Sequence, residues 1–456
     1  MALKKTVIVG SGLVGAVLAS ILARDGHDLE VFDRVSDPRA VTQNAGRSIN
    51  LTLCRRGLDV LDEIGVGEAV RAISVPVYGR VIHDLQGRLT FQPYGNHREA
   101  IYSIARNNLQ RTLLQFAETK LGVPFRFNWK CVDVDLESPA VALRNMLTGE
   151  VRTQSADWIF GADGVHSAVR ARMQKNLRLN LSLQHWEQGY KEIAVPPCAS
   201  GWTSQKNVIH IWPRSSYMLI GFPNIDGSFT CSLHLPFEGP LSFESIHGPD
   251  DLYRLFQESF RDAIDYMPEM AENFFHHPAN AMTTVKCSPW SYRGRVAIIG
   301  DAAHCIYPSY GQGANAGFED CAALGECIKD LGNDPDALLR RFEERRRPNT
   351  DAIADLCMDH FRELRDLVGA PRFLLRKQLE RKINELHPAD YQDLYSMISF
   401  TPVPYTEALQ IDRERRAVVD QLMDVSGIED KLESPELVGL IERLLSSRAP
   451  RQPATA

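Results

Sequence analysis

Val7-Ile8-Val9-Gly10-Ser11-Gly12-Leu13-Val14-Gly15, followed by a helical run from Ala16 to Arg24, is the stretch around which the chain is built. The apolar run reads as a buried strand, and the glycines as the turn leading it into a helix. Gly10 permits a tight turn, Gly12 lets backbone approach a pyrophosphate, and Gly15 allows close packing of helix on strand. Unpaired N–H groups and the positive end of the helix dipole then favour phosphate at that helix N-terminus. A second apolar run, Leu29-Glu30-Val31-Phe32, ends at Asp33, 18 residues beyond Gly15. A carboxylate there can accept both hydroxyls of an adenosine ribose. Strand, glycines, helix, strand and acid in that order predict a dinucleotide site.

A chain of 456 residues can bury a large core and form two or three structural units. With 44% hydrophobic and 24% charged residues its composition is that of an ordinary globular protein. A net charge of −7 argues against a nucleic-acid surface. The nine cysteines are scattered without CxxC pairs, so they read as reduced, buried thiols, Cys305 among them. No stretch approaches the ~18 uninterrupted apolar residues of a membrane span, and the first strand begins too early to leave room for a signal peptide. A cytoplasmic protein without membrane or nucleic-acid partners is expected.

Beyond Asp33 the pattern is mixed α/β. Helical spacing runs from Gly57 to Gly65, and strands are expected near Arg80–His83 and Leu89–Phe91, joined by a turn at Gln86-Gly87. An amphipathic helix follows Tyr102–Arg106, and then a strand pair around Phe125–Phe127 and Val141–Leu143. Trp158-Ile159-Phe160-Gly161-Ala162-Asp163-Gly164 puts a carboxylate at the C-terminal end of an apolar strand, where open α/β sheets bind ligands. From about 184 to 284 strand-like alternation dominates and reads as an inserted sheet. The first pattern returns at Arg295–Ile299, followed by Gly300-Asp301-Ala302-Ala303-His304 and a glycine loop, Pro308–Asn315, that opens another helix. His304 is expected to cap or pack locally. The Arg340–Arg347 run reads as a solvated helix face, and His276-His277 as part of a loop with no metal-ligand spacing. No metal site is expected.

If the strands before Gly10, Asp163 and Asp301 share one sheet, an extended ligand can run past all three. FAD has that length, with adenosine, pyrophosphate, ribityl chain and flavin in sequence. Asp301 would bond ribityl hydroxyls, and the amides of Gly311–Asn315 would face the flavin edge that becomes anionic on reduction. Pro308 and the backbone of Gly311, Gln312, Gly313, Ala314 and Asn315 would shape the face that meets oxygen. The expected cofactor contacts are Gly10, Gly12, Leu13, Gly15, Asp33, Arg34, Arg106, Asp163, Asp301, Gly313, Ala314 and Asn315.

These three fingerprints resemble those of the single-component flavin-dependent aromatic hydroxylases, in which the nicotinamide cofactor docks transiently. No second GxGxxG is found here. A closer resemblance, to the kynurenine 3-monooxygenases, is carried by Gly46–Leu51, Gln92-Pro93-Tyr94-Gly95, Gly189–Glu192, His210–Arg214, Pro223-Asn224 and Gly311–Asp320. Leu394–Met397 and Arg365 extend it into the C-terminal helices. It implies that NADPH reduces FAD, that O2 adds at flavin C4a, and that one oxygen passes to an electron-rich ring. It further implies that Arg80, Tyr94 and Tyr395 hold the carboxylate of the amino-acid substrate, as a guanidinium and two phenols can.

Three positions depart from the family. His360 stands where it has a substrate-contacting asparagine, and His234 where it has a pocket aromatic; Tyr310 replaces a residue that is commonly Phe or His. A hydroxylase of a substituted kynurenine, or of another aryl amino acid or arylcarboxylate, is therefore the main alternative, with a non-catalytic FAD or NAD redox sensor behind it. Flavin halogenases are disfavoured because their Trp-x-Trp-x-Ile-Pro signature is missing. The expected architecture is α/β: a Rossmann-like FAD-binding domain (1–75, 100–183, 285–345), an inserted β-sheet substrate domain (76–99, 184–284), a C-terminal helical region (346–445) and a disordered tail (446–456). Monomers or a weak homodimer are expected, and the charged C-terminal region resembles the soluble bacterial members.

Overall fold

The computed structural model describes residues 4–40, 49–95, 99–197, 204–366, 371–387 and 393–446, without the side chains of residues 360, 362–366, 371, 373, 374 and 377. Gly46, Arg47 and Ser48, the side chains of His360 and Arg365, and the tail beyond residue 446 lie outside the described residues.

The central sheet runs Ser291–Tyr292, Val296–Ile298, Trp158–Gly161, Lys5–Val9, Asp28–Phe32, Phe125–Arg126 in space. All neighbours are parallel except the first pair. Val9 is in register with Gly161 on one side and Phe32 on the other, and Gly161 with Ile298. The glycine turn, the Asp163 loop and the Asp301 loop therefore leave the sheet side by side. Chain order reverses between Lys5–Val9 and Trp158–Gly161, the switch point at which open α/β sheets accept ligands. The helices Leu13–Arg24, Arg106–Leu121 and Gly313–Leu331 pack together over this sheet. Leu13, Val17, Leu109, Leu113, Phe318 and Leu324 are buried in its core.

A second, seven-stranded sheet has the order Asn280–Ser288, Asn180–Val195, Phe229–Pro236, Tyr217–Pro223, Ile209–Arg214, Gly79–His83, Leu89–Pro93. Alternation along its strands assigns two faces. Ile193, Trp212, Leu219, Leu233 and Leu235 join an apolar core beneath the helices Pro249–Ser259 and Met270–His276. Their sequence neighbours Ile211, Met218, Ile220 and His234, and Tyr190 in register with His234, take the opposite face. Asn50 Nδ2 donates to Asn224 Oδ1 (2.8 Å), and Ser103 Oγ to Pro223 O (3.0 Å), tying the two units together. C-terminal helices at Pro335–Asp366, Leu394–Phe400 and Tyr405–Met423 close the remaining side, sharing a core with Ile306, Tyr307 and Ala316.

Four expectations are corrected; the first is that His276, expected in a loop with His277, ends the helix Met270–His276. Phe125–Arg126 does not pair with Val141–Leu143: it is the parallel edge of the central sheet, whereas Ala140–Asn145 lies in a separate antiparallel sheet with Trp129–Asp135 and Val151–Ser155. A two-residue strand carries too little periodicity to reveal its partner. The inserted sheet overruns its expected limits, since Asn180–Val195 starts before residue 184 and Asn280–Ser288 ends beyond 284. The Arg340–Arg347 run is not wholly a solvated face, because Phe342 and Arg346 are buried.

Candidate cofactor cleft and active site

Gly10 has φ +104°, and a Cβ there would sit 2.4 Å from the carbonyl oxygen of Ala162. At Gly15 a Cβ would lie 2.0 Å from Gly10 O. These two glycines are required by the protein's own packing. Gly12 differs: a Cβ added there meets nothing within 4 Å, beside the N-terminus of the helix Leu13–Arg24. Gly313, at the N-terminus of the helix Gly313–Leu331, also faces open space. A cradle that only a ligand would fill, at the positive end of a helix, fits a pyrophosphate.

Asp33 accepts from Ser11 N (2.7 Å) and Ser11 Oγ (2.8 Å) on Oδ2, and from Val35 N (3.1 Å) on Oδ1. The acid expected to meet the ribose thus also locks the glycine turn. Gln110, which sequence reading missed, donates to Ser11 O (3.0 Å) from the neighbouring helix. Arg34 is exposed next to Asp33.

Asp163 divides its two oxygens. Oδ2 accepts from Ala168 N (2.7 Å) at the start of the helix Ala168–Asn176, whereas Oδ1 is buried without a partner. Burial pushes its pKa up. Asp301 is open to water yet enclosed by protein, as on the floor of a cleft; its pKa is also pushed up by burial, against the opposing charges of His304 and Arg106. Arg106, expected at the cofactor, therefore lies close enough to act on the Asp301 carboxyl. Val14 contacts the positions at which Gly300 and Gly317 would carry Cβ atoms, so the three fingerprints pack against one another. The open cradle at Gly12, the unpartnered Asp163 oxygen and the accessible Asp301 carboxyl together fit FAD.

Pro308–Tyr310 forms a short 3-10 turn ended by Gly311 at φ +64°. The side chains of Gln312 and Asn315 turn inward. Asn315 donates to Thr52 O and Gly311 O (both 2.9 Å) and accepts from Cys54 N (3.0 Å). Gln312 donates to Tyr310 O (3.3 Å) and accepts from Tyr405 Oη (2.9 Å). Their side chains brace the loop and leave its backbone to face the cleft.

Arg80, Tyr94 and Tyr395 come together from three distant segments. Tyr94 and Tyr395 stack at 4.8 Å between ring centroids, and Tyr310 lies 6.0 Å from Tyr395. Burial raises the pKa of both Tyr94 and Tyr395, opposed by the nearby charge of Arg80, so both phenols are protonated donors at neutral pH. Gln92 Oε1 accepts from Arg80 Nε (2.8 Å), which orients the guanidinium while its terminal nitrogens meet no acceptor among the described residues. His234 is 7% exposed, and its Nδ1 has no partner. His360 is carried by the helix Pro335–Asp366, but its side chain lies outside the described residues.

His304 does more than pack locally. Its Nε2 pairs with the fully buried Asp320, which also accepts from Arg346 Nε (2.7 Å). Arg346 reaches Glu319 (3.1 Å), Glu319 pairs with Arg56 (3.0 Å), and Arg56 donates to the carbonyls of Ile398 (2.6 Å) and Val403 and covers the ring of Tyr405. The network runs from the Asp301 loop to the helix bearing Tyr395. Sequence reading missed it because alternating charge on a helix does not show which members face inward. Among the described residues no group of histidine, cysteine and carboxylate side chains could hold a metal.

The chain matches the family described as FAD binding domain over residues 4–218 and 265–356. It is 42% identical over 442 residues to a kynurenine 3-monooxygenase of Flavobacterium johnsoniae, covering 97% of this chain and 98% of that one. It is 39% identical to one of Myxococcus xanthus, covering 91% and 90%. Among solved structures, 2-methyl-3-hydroxypyridine-5-carboxylic acid oxygenase superposes with a TM-score of 0.66 at 22% identity, over 81% of this chain and 95% of that one. PqsL of Pseudomonas aeruginosa, in complex with 2-aminobenzoylacetate, gives 0.64 at 20% identity, over 80% and 97%. At such identities these two report the fold.

Proposed function

The chain belongs to the FAD binding domain family and, within it, to the kynurenine 3-monooxygenases, and from that membership we propose that it converts L-kynurenine to 3-hydroxykynurenine with NADPH and O2. Bound FAD supplies the redox chemistry, passing electrons from NADPH to O2 so that one oxygen atom becomes electrophilic. The chain's residues bind, orient and enclose. Gly10, Gly12, Leu13 and Gly15 shape the pyrophosphate turn, with Asp33 and Arg34 at the adenosine end and Arg106, Asp163 and Asp301 along the ribityl path. The amides of Gly313, Ala314 and Asn315, at a helix N-terminus, would hold the flavin edge and favour negative charge there through the helix dipole. Pro308 and the Gly311–Gln312 backbone border the reacting face. Arg80, oriented by Gln92, grips the amino-acid carboxylate, and Tyr94 and Tyr395 donate to it. Ile211, Ile220 and Phe222 pack beside Tyr395 and keep water from the ring. No protein nucleophile takes part.

The observation that carries this reading is the convergence of Arg80, Tyr94 and Tyr395 next to the flavin loop. The test is steady-state NADPH oxidation by the yellow holoenzyme with and without kynurenine, with product mass analysis. Stimulated oxidation and a product heavier by one oxygen support the reading; no stimulation by any aromatic amino acid would leave a redox sensor or oxidase. Arg80→Ala should raise KM for kynurenine roughly 10–100-fold with less effect on kcat, the size of a lost charge-assisted carboxylate contact. We further infer a cytoplasmic enzyme, monomeric or weakly dimeric, without nucleic-acid or membrane partners; the net charge of −7 and the free thiols support the first and third of these, and no described helix is long and apolar enough to cross a membrane.

A further inference from the structure

His234 is a buried polar group without an explanation in the fold. It stands on the Phe229–Pro236 strand, in register with Tyr190 and Met218. Phe229, Cys231, Leu233 and Leu235 of that strand enter the helix-covered core, so His234 and Ser232 lie on the opposite face. Neither imidazole nitrogen makes a hydrogen bond, and both His234 Nδ1 and Ser232 Oγ are buried without partners. Buried polar atoms ordinarily find a partner, so two unpaired ones on one strand face leave hydrogen-bonding capacity for a ligand or an ordered water. Tyr190, whose ring centroid is 5.8 Å away, and Met218 pack against the same cluster as Tyr310, which adjoins Tyr395. The face is thus continuous with the carboxylate clamp.

The register gives the span. Val81, His210, Gly221 and Cys231 form one row across four neighbouring strands. Arg80 is one residue before that row and His234 three residues after it, on strands that run in the same direction. Three strand spacings and four residue rises separate their Cα atoms by roughly 19 Å on a flat sheet. Their side chains stand on the same face, so the gap between guanidinium and imidazole is at most of that order. That suits an aryl γ-keto α-amino acid lying between guanidinium and imidazole.

We propose that His234 is a specificity-determining residue that accepts a hydrogen bond from the ring amino group of the substrate, selecting arylamines over rings that lack it. A neutral imidazole has one acceptor nitrogen, and burial keeps this one neutral by pushing its pKa down to about 4. An amino group bonded through N–H also donates more electron density to the carbon ortho to it, where an electrophilic oxygen must add. The inference rests on the kynurenine reading above and adds the contact that reads the ring.

The test compares the holoenzyme and its His234→Phe and His234→Gln variants for binding of kynurenine and of benzoylalanine, the same amino acid without the ring amino group. Titrations are followed by the flavin absorbance change. In the natural chain kynurenine should bind at least 10-fold tighter, because a buried acceptor left unpaired rejects the analogue. His234→Phe should reduce that ratio to within about 3-fold, chiefly by tighter benzoylalanine binding, and His234→Gln, which keeps an acceptor, should retain most of it. A ratio unchanged in His234→Phe overturns the assignment while leaving the kynurenine reading intact. A natural chain that binds neither compound and oxidises no NADPH in response to kynurenine overturns both. Misfolding of either variant is detected by loss of its flavin spectrum, and the other variant then decides.

Discussion

Tyr405 donates its hydroxyl to Gln312 Oε1 across 2.9 Å, so a C-terminal helix holds the loop that borders the flavin site. Gln312 is itself fully buried and continues into the helix Gly313–Leu331. Tyr405→Phe removes the stronger donor and leaves Gln312 Oε1 with only the weak Cys54 thiol at 3.7 Å, at a cost of about 1 kcal/mol. The expected result is retained FAD, a slightly lower melting temperature, and more peroxide released per NADPH consumed, read from product-to-NADPH stoichiometry. Unchanged coupling would confine the bond to a structural role.

The glycines of the first turn should separate by function. Gly12→Ala places its Cβ in space open in the protein alone, at an ordinary φ of −63°. The apoprotein should keep its stability while FAD affinity falls at least 10-fold, measured by flavin fluorescence. Gly15→Ala collides with Gly10 O and should destabilise the apoprotein itself, measured by urea unfolding. Equal FAD affinity in Gly12→Ala would move the pyrophosphate elsewhere.

Arg346 and Arg345 are neighbours on one helix with opposite expectations. The Arg346 side chain is 9% exposed and pairs with Asp320 and Glu319, whereas Arg345 is half exposed and pairs with the exposed Glu326. Arg346→Met strands buried negative charge and should cost about 3–5 kcal/mol. Arg345→Met should cost less than about 1 kcal/mol. Denaturant midpoints compare the two, and equal small losses would show that the buried network adds nothing to stability.

Acid sensitivity should reflect the buried histidines. His210 is pushed down to about 4 by burial and, secondarily, by the charge of His83. Its folded pKa lies below the unfolded value of about 6.5, so between these limits the unfolded chain binds more protons. Stability is therefore full above pH ~6.5 and falls as pH drops towards 4, by up to about 1.4 kcal/mol per pH unit for this group. His210→Gln should flatten that slope relative to the natural chain in urea titrations at several pH values. An identical slope would exclude His210 as a source.

The nucleotide-binding turn was legible in the sequence because its requirements are local. Gly15 answers a backbone distance to Gly10 set within the turn itself, Gly10 adds a positive φ that the turn demands, and strand alternation likewise marks the two faces of the inserted sheet. The carboxylate clamp was legible only through resemblance: Arg80, Tyr94 and Tyr395 lie far apart in the chain, and no periodicity links them. Arg56, Gln110, Tyr405 and the burial of Arg346 were not legible at all. A charged or phenolic side chain looks the same in sequence whether it meets water or a buried partner.

The sequence by itself determined the parallel sheet, the cofactor class and the family, since these follow from short-range patterns of glycine, alternation and acid placement. The tertiary structure decided which polar groups are satisfied and which are left for a ligand. That depends on register across strands and on helices packed from the far end of the chain. It is why Gln312 and Asn315 prove to be braces, Asp33 a lock on its own turn, and His234 an acceptor still without a partner.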